Sequence, residues 1–499
     1  MRLPFPERIP LIYVFCFAIL LCAAQILEGT AVLFTLCSFL FVLIAALTFN
    51  LAGGFTRPSG SYVFFFAVLG VIIGLCWKAI LGEPADSNLD APMVTIRVYL
   101  GGICAMFAAV YMSRKLTPKR AFLGALLTPQ NMLNATIGCM VTGMLIIVLV
   151  TAVPHESGSI LSALSQVDRF LPMAIILGVI YQIRKSGGTS SINLPVLLSF
   201  ATVFISGLIG FSKEGMLTPI FCWIAAAASL RYKLSLPQVI GGIVAAILIF
   251  QFLIPYSQYG RVYKTDSFTE NVSTSFSLLS NLEFVRDQNA KLETESSEGA
   301  NSGYYNTPQG FFDRLQMIGM DDALINFTEQ GHVFGLSPIW ADFENLVPHF
   351  IWPDKPRLYY GTLYAQEIGG IIPEGDTTTG ISFTPTAEAF HLARWVGVLI
   401  IAPIIWTLLF TLFDSMCGDV RKSPWGLLVI SIFAHAAPET GISGPIYLLG
   451  YGAVGILFAA LAAAYAMPII GTLLAGPENV TIRRISRVRS VPRRLPSLR

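Results

Sequence analysis

Twelve apolar runs, most of them long enough to reach across the hydrocarbon core of a bilayer, decide what this chain can fold into. They cover residues 10–27, 30–50, 61–81, 95–112, 134–153, 169–183, 193–211, 215–230, 238–255, 394–413, 425–443 and 446–474. A membrane-crossing helix needs about 20 mainly apolar residues, and a backbone in lipid must satisfy its polar groups internally. The runs are continuous and do not alternate over ~10-residue segments, which excludes a β-barrel. Only 12% of the residues are charged and 54% are hydrophobic, whereas a soluble domain carries roughly 25% charge. A soluble multidomain enzyme is therefore excluded. The expectation is an all-α polytopic membrane protein of about twelve transmembrane helices. The first run follows Arg2 and Arg8, yet no small-x-small cleavage pattern closes it and a second run follows at once, so it reads as a membrane helix.

Lys and Arg in short loops favour the cytoplasmic side. With the N-terminus inside, the inner segments and the tail hold 20 of the 32 basic residues, whereas the short outer loops keep only Lys78, Arg97, Arg169, Lys213 and Arg394. Both termini are thus expected inside. Residues 475–499 form a basic tail suited to anionic lipid headgroups and not to nucleic acid.

The division of the chain follows from the same pattern. Residues 1–255 hold helices one to nine, 256–390 form one large outer loop, and 391–474 hold helices ten to twelve. The outer segment carries 7 Lys/Arg against 18 Asp/Glu. Its Ser-, Asn- and Glu-rich stretch 266–306 is expected to be loosely ordered. Phe311, Leu315, Ile318 and Ile325 predict an amphipathic helix over 310–327, and the prolines, aromatics and Thr/Gly cluster beyond 346 read as ordered loops. No internal repeat relates two halves, as it would in many transporters. The single large outer segment instead directs attention to chemistry at the outer face.

Ionisable groups at the lip of a membrane bundle are costly and invite a functional reading. Arg169, Lys213, Glu214, Glu388, His391 and Arg394 collect there, with Lys355 and Arg357 in the outer loop. Cations in an otherwise acidic region suit an anionic headgroup such as a lipid diphosphate; at helix ends the same residues also serve as caps or snorkelling anchors, which is the blander reading for Arg394. Glu388, His391 and Glu214 have the chemistry of a general base. His435 and Glu439 share one helical face and read first as a polar contact between helices, because no third metal ligand accompanies them. Glu83, Asp86 and Asp90 are too loosely spaced for a compact acidic metal motif. No metal and no other cofactor is expected. The aromatics Tyr304, Tyr305, Trp352, Tyr359, Tyr360 and Tyr364 suit sugar faces or the interface. The eight cysteines, none in a CxxC, read as small apolar side chains.

Five strings carry a family resemblance: FSKEGM at 211–216, FFDRL at 311–315, LVPHFIWPDKPRLYYG at 346–361, TTTGISFTP at 377–385 and AEAFHLARWVG at 387–397. Together with the layout of many helices and one large outer loop, they resemble the Wzy-type polysaccharide polymerases, and the layout resembles that of C-type glycosyltransferases. The resemblance implies a glycosyltransferase of the bacterial inner membrane whose large loop is periplasmic. It would polymerise undecaprenyl-diphosphate-linked oligosaccharide repeat units into O-antigen or exopolysaccharide, alongside a flippase and a chain-length regulator. It also implies that outer-loop arginines bind the anionic substrate, which points to Arg314 and Arg357 with Lys355 beside the latter. The competing readings are an O-antigen ligase and a flippase for the lipid-linked unit; a flippase would need charges lining a midplane cavity, not the outer lip.

Overall fold

The computed structural model of the protein describes residues 1–124, 126–153, 161, 164, 168–265, 267–297, 304, 315–347, 351–352, 360–368 and 381–476. Among these residues every regular element is helical, apart from one antiparallel bridge between Arg2 and Lys233. The first nine helices are α1 (Leu11–Leu27), α2 (Val32–Ala52), α3 (Pro58–Leu81), α4 (Pro92–Leu116), α5 (Pro129–Ala152), α6 (Phe170–Lys185), α7 (Leu194–Ile209), α8 (Lys213–Ser229) and α9 (Leu236–Arg261). The segment that follows holds α10 (Phe268–Leu279), α11 (Leu282–Ser297), α12 (Ile318–Glu329), α13 (Ser337–Asn345) and α14 (Tyr360–Ile368). The chain then forms α15 (Pro385–Cys417), α16 (Pro424–Glu439) and α17 (Ser443–Ala475).

Each of the twelve apolar runs is helical. Proline opens α3, α4, α15 and α16, where its missing N–H costs nothing and its fixed φ suits the first turn. Seven helices, α2, α3, α4, α5, α9, α15 and α17, are long and apolar enough to cross a membrane. The remaining five, α1, α6, α7, α8 and α16, have 16 or 17 residues. At ~1.5 Å per residue they span about 24–26 Å.

Contacts between the connecting segments fall into two sets. In one set, Leu3 bonds to Tyr232, Glu7 pairs with Arg421, Val420 bonds to Thr56, Trp425 bonds to Leu123 and Asn134 bonds to Thr472. In the other, Ala85 bonds to Thr30 and Tyr304, Asp322 accepts from Asp90 and Ala91, Arg261 bonds to Phe211, and Gly441 bonds to Phe383. Apart from Thr472, at the far end of the twelfth run, the first set joins residues at or before the starts of odd-numbered apolar runs and the second joins residues at or beyond their ends. That is the pattern of helices running alternately up and down.

The segment 266–306 departs from expectation. It forms α10 and α11, started by Ser267, whose hydroxyl accepts the Glu270 amide, and anchored by Asn271, whose side chain bonds twice to Thr265. Val285 of α11 is buried with Phe211 and Tyr256, so a polar composition hid a few well-placed apolar contacts. The amphipathic helix expected over 310–327 is described from Ile318 to Glu329; Phe311 lies outside the described residues. Part of the region expected to be loops beyond 346 is the helix α14.

Candidate functional site

The turn between α16 and α17, Glu439 to Ser443, gathers several polar side chains. Gly441 has φ of +60° and donates its N–H to the Phe383 carbonyl at 2.9 Å. A Cβ at this position would collide with Oε2 of Glu388, so only glycine lets the carboxylate come so close. Glu388 stands in the first turn of α15, behind the Thr384 cap and Pro385. It is buried, accepts the Ile442 amide, and accepts the Tyr364 hydroxyl at 3.1 Å. The carboxylate therefore caps the start of α17, where the helix dipole favours negative charge.

His391 follows Glu388 by three residues and shares its face. Its Nδ1 is 2.9 Å from the Thr328 hydroxyl, which itself donates to the Leu324 carbonyl at 2.7 Å. With that hydroxyl proton committed, Nδ1 carries the ring proton and Nε2 presents its lone pair when the ring is neutral. Among the described residues Nε2 makes no hydrogen bond; it lies 3.6 Å from Oε2 of Glu367. Burial holds the Glu367 carboxyl above its ordinary range, and nearby His332 opposes this. Phe327, Phe334 and Tyr364 surround the imidazole.

Immediately beyond, α15 bends. Ala393 and Arg394 leave helical geometry, and the carbonyls of His391 and Leu392 are taken up by the amides of Phe334 and Gly335. Gly397 lies so close against the Ala389 carbonyl that a side chain there would overlap it. Glu388 and His391 thus sit on a short helix ahead of the apolar stretch, which explains why the apolar run begins only at 394. The Arg394 guanidinium donates to the carbonyls of Thr328 and Glu329 at 3.1 and 3.3 Å, the helix-end role that a cation in this place suggests.

Beside the turn lies a cavity of about 370 Å³. Asp342 and Asn345 of α13, Thr440 of the turn, and Ser443, Tyr447 and Tyr451 of α17 line it. Burial pushes the Asp342 carboxyl up to about 6, and the neighbouring Ser443 hydroxyl partly offsets this. On the opposite flank of the turn, His435 is 3.1 Å from Glu439 and 3.8 Å from Glu214. Lys213 and Arg261 are close enough to Glu439 to act on its charge. The pair His435 and Glu439 is accordingly a contact between helices, joining α16 to α8.

Of the residues singled out in the sequence, Glu388 and His391 lie together, and Lys213 and Glu214 lie across the turn from them. Arg169 precedes α6, with its guanidinium on the Asp168 carbonyl at 3.0 Å. Arg314, Lys355 and Arg357 lie outside the described residues. Among the described residues, no group of three or more His, Cys, Asp or Glu side chains is placed to hold a metal ion. Asp342, Glu367, Tyr447 and Tyr451 were not marked by sequence reasoning. The one signal available was the i, i+4 spacing of two tyrosines in an otherwise apolar run. Comparison with known protein families, with curated proteins and with solved structures finds no match to this chain.

Proposed function

We propose that the protein is a polysaccharide polymerase: a glycosyltransferase that joins lipid-diphosphate-linked oligosaccharide repeat units into O-antigen or exopolysaccharide. In this reading twelve helices cross the bacterial inner membrane, both termini are cytoplasmic, and the acidic segment between α9 and α15 is periplasmic. The observation that carries it is a convergence. Three strings that bear the family resemblance, far apart in sequence, meet around the Glu439–Ser443 turn: FSKEGM through Glu214 and Lys213, the 346–361 string through Leu346 at the cavity wall, and AEAFHLARWVG through Glu388. Glu388 and Tyr364 fix the turn, and His391 and Glu367 stand behind them. Lys213, Arg169, Arg314, Lys355 and Arg357 are the cations this reading assigns to the diphosphate, whose charge grows as it departs.

Deletion of the gene tests this. The expected outcome is lipid A core bearing single repeat units, or loss of secreted polymer with lipid-linked single units accumulating on the outer leaflet. Normal polymer held on its lipid carrier, with none transferred, would identify a ligase. Lipid-linked units trapped on the inner leaflet would identify a flippase.

A further inference from the structure

We infer that the cavity between α13 and α17 holds the acceptor sugar of the polymerisation reaction, with Asp342 as the base that receives the proton of its attacking hydroxyl. The inference rests on the polymerase reading and adds to it a subsite and a catalytic residue.

Three features single out this cavity. Its size falls within the ~300–1,000 Å³ of small-molecule sites. Its lining carries the polar side chains of Asp342, Asn345, Thr440 and Ser443, with the Ser443 hydroxyl beside the Asp342 carboxyl. Finally, Tyr447 and Tyr451 stack on one another, with ring centroids 5.8 Å apart and planes at 28°, and add aromatic surface to the lining.

The charge of the cavity selects which part of the substrate enters. Among the described residues no Lys or Arg lines it, and Asp342 is near enough to Glu388 for the two carboxylates to repel each other. A diphosphate is disfavoured there and a neutral sugar is not. The cations Lys213 and Arg261 lie on the other flank of the turn, with Glu439. Helix α13 separates its faces in the same sense. Pro338, Ala341, Asp342 and Asn345 face inward at helical spacing, while Trp340 and Phe343 are exposed and suit an interfacial position.

In the reaction, the acceptor hydroxyl oxygen forms a bond to the anomeric carbon of the donor chain, and the bond from that carbon to the lipid diphosphate breaks. The electron pair leaves with the diphosphate, and the hydroxyl proton passes to Asp342 and from there to water. Asp342 must be ionised to accept it, so the rate should rise with pH through about 6, the position to which burial moves this carboxyl.

The test uses full-length protein in nanodiscs and lipid-linked single repeat units isolated from the deletion strain, with chain extension as readout. Asp342→Asn should lower turnover at least 10²-fold, the scale of general base catalysis, and should abolish the pH limb near 6. Asp342→Glu should restore part of the rate. Tyr451→Ala should raise KM for the acceptor unit about tenfold with kcat within threefold of the parent. If Asp342→Asn does not accumulate as folded protein, Tyr451→Ala decides alone, and an unchanged KM overturns the inference. Extension by Asp342→Asn within threefold of wild type, with the pH limb intact, also overturns it while leaving the polymerase reading standing. Wild-type protein that extends nothing would instead remove the polymerase reading, and this inference with it.

Discussion

Arg394 holds φ of 49° and ψ of −135°, a combination that an L side chain enters only under constraint. Such residues cost on the order of 1–3 kcal/mol, and here two charge-assisted bonds to the end of α12 hold the side chain in place. Replacement by alanine loses those bonds and keeps the strain, whereas glycine loses the same bonds and relieves it. After allowing roughly 0.5–1 kcal/mol for the freedom of glycine in the unfolded chain, Arg394→Gly should still be the more stable of the two by about 1 kcal/mol. Thermal unfolding of the two variants in detergent measures this, and a glycine variant less stable than the alanine variant by the roughly 0.5–1 kcal/mol of that allowance would show that the bend carries no strain. The sequence gives no sign of the conformation. It does suggest the helix-end role, because a lone cation beside an apolar run has few other uses.

At the scale of the element, α12 is built around two buried carboxylates. Asp321 accepts from the Tyr99 hydroxyl at 2.6 Å, the Thr384 amide at 2.9 Å and the Thr384 hydroxyl, while Asp322 accepts from Thr95, Asp90 and Ala91. Together they fasten α12 to α4 and to the start of α15, which carries Glu388. Burial pushes Asp321 up to about 7, with Thr384 and Tyr99 pulling the other way, and raises Asp322 also. A carboxyl with a higher pKa in the folded state than in the unfolded state binds its proton more tightly when folded. Its contribution therefore favours folding most at low pH and declines as pH rises from about 4 to about 7. The full decline from Asp321 is on the order of 4 kcal/mol. Unfolding midpoints of the solubilised protein should fall over that interval, and Asp321→Asn should flatten the fall; an equal slope in the variant would exclude Asp321 as its source. The 3.6-residue spacing made α12 legible in outline. Its carboxylates were not, since their partners come from residues 90–99 and 384 and no local pattern joins them. Helices α10 and α11 were missed for a related reason: Val285 becomes core only because Phe211 and Tyr256 arrive from elsewhere.

For the whole molecule, the two sets of loop contacts and the bias of basic residues toward one of them argue for a single orientation. With native thiols made inaccessible, a cysteine at Ser297 should react with an impermeant thiol reagent on intact spheroplasts and one at Ser497 should not; the reverse result would invert the molecule. The helices themselves were legible because apolar length is a local property. The cavity was not, because its walls come from α13, the turn and α17, about a hundred residues apart. The short helices have a mechanical effect. α6, α7, α8 and α16 pack against one another, so their shortfall of about 4–6 Å from a ~30 Å hydrocarbon core is concentrated on one flank. If all twelve helices cross the membrane, as proposed, lipid would compress to meet them, at fractions of a kcal/mol per Å. On the proposed reading, the bilayer would be thinnest beside the end of α16, the headgroup plane would sink toward the turn, and a polyprenyl carrier would be spared part of the climb out of the hydrocarbon.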